Sequence, residues 1–110
     1  MGNSLHDCLN DILANANEVH EFVDGMAFEE YVADRKTQSA VERKFEIIGE
    51  ALNRIGRMDE ELLEKIRDYR SIISFRNILA HGYDSVDERV VWGIIEADLE
   101  NLIEDAGKLI

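Results

Sequence analysis

Proline is absent from this 110-residue chain, so the strongest interior helix breaker is missing and long helices are unobstructed. Cysteine occurs once, at Cys8, which rules out an intramolecular disulfide and a structural zinc site built on two or more cysteines. A lone thiol fits a reducing compartment. Basic residues are scarce, with 12 Lys and Arg against 24 Asp and Glu and a formal net charge of −12. Such a surface repels polyphosphate at long range, so general nucleic-acid binding is disfavoured. Any phosphate chemistry then needs a local basic pocket or a basic partner. No apolar run approaches the ~20 residues that cross a bilayer. Met1 to Asp7 carries neither a basic stretch nor an apolar run of the kind that marks a secretory signal. These absences predict a cytoplasmic protein.

Apolar residues make up 45% of the chain, enough for one domain over residues 1–110 to bury a core without staples. Leu5, Leu9, Ile12, Leu13, Ala16, Val19, Phe22 and Val23 keep helical spacing behind Ser4 as N-cap, and the run closes near Asp24-Gly25. A short amphipathic piece spans Phe28–Val32. A long helix is predicted from about Arg35 to Ile55, with Val41, Phe45, Ile48, Leu52 and Ile55 as one stripe and Gly56 as its stop. Asp59-Glu60-Glu61 opens another helix, acids against the positive end of its dipole. Tyr69 to about His81 is a further helix, closed by Gly82. Ser85-Val86-Asp87-Glu88 has capping-box spacing, with Asp87 as a competing cap. One last helix carries Val91, Ile95, Leu99, Leu102 and Ala106 to the end. No period-two pattern of strand length occurs. The fold class is therefore all-α, a largely up-and-down bundle of about four main helices plus short ones. The stripes are wide for so small a bundle, which predicts a two-fold homodimer.

Several chemistries are excluded. His6 and His20 lie ~21 Å apart along one helix and cannot share an ion with Cys8. No Glu precedes any histidine by three residues, so the di-iron pattern of helical bundles fails. Glu46 and Glu50 share a face at i,i+4 and read as a solvated or interface pair near Arg43, Lys44 and Arg54. Neither a phosphate loop nor a nucleophile motif is present.

The informative stretch is Phe75-Arg76-Asn77-Ile78-Leu79-Ala80-His81-Gly82-Tyr83-Asp84. Arg76 and His81, five residues apart, are separated by ~140° and ~7.5 Å on a regular helix. They converge only if His81 sits on an unwinding last turn, or if Arg76 of one chain meets His81 of another across a dimer axis. The helix C-terminus favours a protonated histidine and suits it to proton transfer. Residue types alone leave a plain alternative open, in which Arg76 pairs with a carboxylate and His81 merely caps the helix.

Two segments together carry a resemblance. The run Ala40-Val41-Glu42-Arg43-Lys44-Phe45-Glu46-Ile47-Ile48-Gly49-Glu50-Ala51-Leu52 resembles the central-helix signature of the HepT-like branch of the HEPN superfamily. The run from Arg76 to Asp84 resembles that family's Arg-x-x-x-x-His-x-Tyr element, and a terminal helix opening at Val90-Val91-Trp92 also matches. The likeness covers nearly the whole chain. It implies a metal-independent RNA endonuclease without a cofactor, the toxin of a toxin–antitoxin pair, with tRNA among the candidate RNAs. A minimal nucleotidyltransferase antitoxin would silence it by moving AMP to a tyrosine. Carried over by position, Arg76 and His81 are the catalytic pair, Asn77 is the supporting polar residue and Tyr83 is the modified one. Asp68-Tyr69 departs from the Pro-Trp expected ahead of the motif.

The chemistry agrees with that implication. RNA supplies its own nucleophile, the 2′-hydroxyl, so the protein need only move protons and stabilise a phosphorane. Histidine suits the first task and arginine the second. A competing reading is a non-catalytic helical partner of a nucleotidyltransferase, and a third is a purely structural dimerisation domain. The chain has no Gly-Ser plus Asp-x-Asp element and is not itself the transferase.

Overall fold

The 4-3-4-3 stripe of the long central helix organises the protein. In a computed structural model, which describes residues 4–81 and 86–110, the helices are α1 (Leu5–Phe22), α2 (Phe28–Val32), α3 (Arg35–Met58), α4 (Glu60–Glu64), α5 (Tyr69–Ala80), α6 (Glu88–Ala97) and α7 (Leu99–Leu109). Val41, Phe45, Ile48, Leu52 and Ile55 are each fully buried, so the stripe is the spine of the core. α1 packs against α3 on one side and α7 on the other, and α5 lies against α3. Ile12, Ala16 and Val19 of α1 and Leu102 and Ala106 of α7 complete the same cluster. No strand occurs among the described residues, and the all-α expectation holds.

Most boundaries follow from their caps. The Ser4 hydroxyl accepts the Asp7 N–H at 3.0 Å, and Gly25, with φ 76°, makes the left-handed turn after α1. Asp34 caps α3 by accepting the Thr37 N–H. Asp87 opens α6 and accepts the Arg89 N–H at 2.9 Å; Ser85, which carries the capping-box expectation, and Gly82 lie outside the described residues.

Two expectations need correction. Gly56 does not stop α3, which continues to Met58. The helix ends at Asp59, whose carboxylate caps α4 through the Leu62 N–H, while Leu63 approaches Gly56 and covers it. The terminal segment is two helices rather than one, interrupted at Asp98. There the carboxyl is pushed up from its ordinary range by burial and by Asp68, and Asn101 donates to Asp68. Each half can then face its own partner: α7 lies on α1, while Trp92 of α6 packs on Tyr31 at 5.2 Å and on Phe28 at 6.1 Å.

The turn into α5 is pinned from α7. Asp105 accepts the Arg67 backbone N–H at 2.9 Å and also Nε and Nη2 at 3.1 and 3.0 Å. The guanidinium holds that carboxyl below its usual range. Next, Asp68 takes φ 63°, ψ 15° immediately before α5. A proline ring is locked near φ −65° and could not stand there. The departure from Pro-Trp therefore belongs to a differently shaped turn that still delivers α5 onto α3.

Candidate active site

α5 carries the motif, and its two key residues occupy different settings. Arg76 faces α3. Phe75 beside it is buried and packs edge-on to Phe45 at 5.7 Å, which fixes the rotation of α5. Opposite Arg76 stands Gly49, buried in the middle of α3. A Cβ there would overlap the Cβ of Arg76 and lie 3.5 Å from its Cδ. The absent side chain is what lets the arginine stem lie across the helix.

The guanidinium is then held on two sides. Nη2 donates to Glu50 Oε2 at 2.8 Å, and Nη1 donates to Asn77 Oδ1 at 3.2 Å. Both Arg76 and Glu50 keep 29% of their side-chain surface exposed, so the pair is half-sheltered and still reachable. Glu50 also receives Arg54 and Arg57, each 3.5 Å from Oε1. Lys44 is not part of this group and pairs with Glu18 of α1.

His81 has left the helix. It is the C-cap of α5, with φ −84° and ψ 2°, and its backbone N–H reaches the Asn77 carbonyl at 3.1 Å. Its side chain is exposed at the negative end of the α5 dipole. Asn77 thus touches both motif residues, Arg76 through its side chain and His81 through its carbonyl. Tyr83 lies outside the described residues. Both contacts of the plain alternative, an arginine–carboxylate pair and a histidine cap, are present.

A second titratable group lies where the chain returns after the motif. Both Glu88 carboxyl oxygens are buried, and with its proton kept the group shares a side-chain hydrogen bond with Glu42; the fully buried Tyr31 hydroxyl is unpartnered among the described residues. Burial, and then the neighbouring Glu42, push the Glu88 carboxyl up to about 7. Burial also raises Glu42 and Tyr31. Elsewhere, Cys8 is fully buried and its thiol is pushed up by desolvation. No cluster of three metal-ligating side chains occurs among the described residues, and no helix there is long and apolar enough to cross a membrane.

Sequence reasoning placed Glu50 beside Arg54, as found, but also beside Lys44, which pairs elsewhere, and it missed Gly49, Arg57 and the contact of Glu50 with Arg76. A glycine within a strongly amphipathic helix costs about 1 kcal/mol relative to alanine, and that cost is itself a sign of close approach. Nothing in the sequence shows that Arg76 is what approaches.

An all-α fold whose fifth helix presents an anchored arginine and a histidine at its C-terminal end defines the class of HEPN-type domains. Comparison with known proteins narrows this: the ribonuclease HepT-like family matches over residues 12–109, and the chain belongs to that family. A protein of Thermococcus cleftensis named probable ribonuclease HepT is 37% identical over 102 residues, 93% of this chain and 92% of its own length. Two Methanocaldococcus jannaschii proteins whose names carry a provisional RNase assignment are 31% and 33% identical. They cover 93% and 86% of this chain and 84% and 85% of their own lengths. No solved structure matches the chain.

Proposed function

We propose that this protein is a metal-independent endoribonuclease that cuts RNA through attack of its own 2′-hydroxyl. The observation that carries the reading is the seating of Arg76 by Gly49 and Glu50, five residues before an exposed His81, in a chain of the HepT-like ribonuclease family. In the reaction, imidazole takes the 2′-hydroxyl proton as O2′ bonds to phosphorus. The bond from phosphorus to O5′ breaks, and O5′ takes up a proton. The Arg76 guanidinium faces the non-bridging oxygens, where charge develops. The products are a 2′,3′-cyclic phosphate and a 5′-hydroxyl.

A homodimer supplies two histidines to one cleft, so that one acts as base and the other as acid. Support for a partner copy comes from a groove of about 300 Å³ between α5 and α6. It is lined in part by Ser71, Ser74, Ile78, Val90, Gly93 and Ala97, and Ile78 and Val90 are 42% and 50% exposed. Control falls to Tyr83, two residues past His81. Transfer of AMP to it by a minimal nucleotidyltransferase antitoxin adds bulk and negative charge where RNA phosphate approaches.

The test is cleavage of labelled RNA, tRNA included, by the purified, partner-free protein in EDTA. Cleavage that persists in EDTA, leaves cyclic phosphate ends and disappears in both Arg76→Ala and His81→Ala is the expected result. Full cleavage by His81→Ala would overturn the mechanism. No cleavage, together with tight binding of a nucleotidyltransferase, favours the non-catalytic partner reading instead, to which the acidic surface lends support. Mass spectrometry after incubation with the transferase and ATP locates the modification, and a tag found away from Tyr83 removes that residue from the scheme.

A further inference from the structure

The carboxylate that holds Arg76 holds two more arginines. Glu50, Arg54 and Arg57 stand at i, i+4 and i+7 on α3, so they share one face and form a row about 10 Å long. Three guanidiniums meet one carboxylate there: Arg76 at 2.8 Å, and Arg54 and Arg57 at 3.5 Å each. In every other ion-paired cluster among the described residues the acids match the bases. Lys44 has Glu18, Arg70 has Glu64 and Arg89 has Asp87, while Arg67 and Lys108 together hold Glu104 and Asp105. Three guanidiniums therefore share one carboxylate in direct contact beside the motif arginine, with Asp7 and Asp11 of α1 as further acids around the same Cys8 that Arg54 and Arg57 approach.

The three arginines are not equally committed. The Arg76 contact is short and half-sheltered. Arg57 is 66% exposed, and its longer contact is one a stronger anion can displace. Arg54 keeps Nη1 buried without a hydrogen-bond partner, an unusual state for an arginine donor. Like-charged guanidiniums repel one another, and Glu50 between them keeps them gathered in the absence of ligand.

We infer that Arg54 and Arg57 extend the Arg76 site into a phosphate-binding row that seats a second phosphodiester of the RNA strand next to the one under attack. The inference rests on the ribonuclease reading. Guanidinium forks pair bidentately with phosphate oxygens, and the row gives an acidic protein a short-range grip on RNA in place of long-range attraction. A second phosphate contact adds binding without touching the reacting atoms. Its loss falls on KM and leaves kcat.

Cleavage kinetics and salt-dependent binding of a single-stranded RNA test this, the binding measured in a His81→Ala background that does not cut. With Arg57→Ala, KM is expected to rise about 5–10-fold with kcat within twofold of the parent. The slope of log K against log salt should flatten by about 0.7, the value for one lost single-strand phosphate contact. Arg57→Lys restores most of the slope, and Arg57→Glu is worse than alanine. Lys36→Ala, an exposed base at the other end of α3, leaves both unchanged. Because Arg57 is exposed, the thermal melt of each variant should match the parent, and Arg54→Gln gives a second reading of the same row. An active parent whose KM and salt slope are indifferent to both substitutions overturns the row and leaves the ribonuclease standing. A parent that neither binds nor cuts RNA overturns both.

Discussion

Replacing Gly49 by alanine tests whether close approach of α3 and α5 is what positions Arg76. The added Cβ would lie 2.5 Å from Arg76 Cγ and closer still to its Cβ, whereas packed carbons prefer ~3.5–4.0 Å. Both atoms belong to the stem of the arginine rather than its free end, so relief requires the helices to part locally by about 1 Å. Overpacking of this kind costs about 1–3 kcal/mol, offset by the ~1 kcal/mol that alanine gains over glycine within a helix. The expected net loss is therefore small, about 0–2 kcal/mol by urea unfolding. Catalysis should suffer more, because a shift of about 1 Å in a reacting group can cost up to 10²-fold in rate. Single-turnover cleavage of RNA at saturating enzyme reads that loss directly. Gly107→Ala is the control: a Cβ there meets nothing within 4 Å, so it should gain up to ~1 kcal/mol and leave cleavage unchanged. If Gly49→Ala gains stability like the control and cuts RNA at the parent rate, Arg76 is not seated by the missing side chain, and the geometric argument falls.

Further expectations follow from the charge contacts. Glu50→Gln leaves three guanidiniums without their shared anion; kcat should drop about tenfold as Arg76 loses its seat, while KM for RNA does not rise, and a KM effect alone would contradict this positioning role. Glu88 is raised to about 7 by burial and by Glu42, with Tyr31, Arg35, Glu46 and Asp87 as the other groups acting on this pair. The folded state therefore keeps a proton that the unfolded chain releases near 4.5, so stability declines as pH rises from about 4.5 through 7. Glu88→Gln should flatten that decline and exceed the parent by about 1–3 kcal/mol at pH 8, which urea midpoints across the range would check; parallel curves would refute it. Asp105 has the opposite sign, since Arg67 holds it low. Its contribution is present above its ordinary range and is lost as pH falls, so Asp105→Asn should melt several degrees below the parent at pH 7 and converge with it in acid.

The sequence by itself determined the helices, because a 3.6-residue period and side-chain caps are local properties. The α3 stripe, the Ser4 cap and the α5 span could all be read without knowing what each helix would touch. The HepT-like assignment was legible for a similar reason: it rests on two segments whose order and spacing survive without coordinates. Local reading failed where a neighbour outweighs a propensity. Gly56 reads as a stop until Leu63 covers it, and Asp98 reads as mid-helix until Asp68 and the separate partners of α6 and α7 are known. The candidate site was legible only as a list. Arg76, Asn77 and His81 are adjacent in the chain, but Glu50 lies 26 residues before Arg76, and no local pattern says which acid an arginine will choose. Tertiary structure decided that Gly49 gives Arg76 its room and that one carboxylate gathers three arginines from two helices. The physical reason is that packing distance and charge balance belong to surfaces brought together by the fold, not to any one helix.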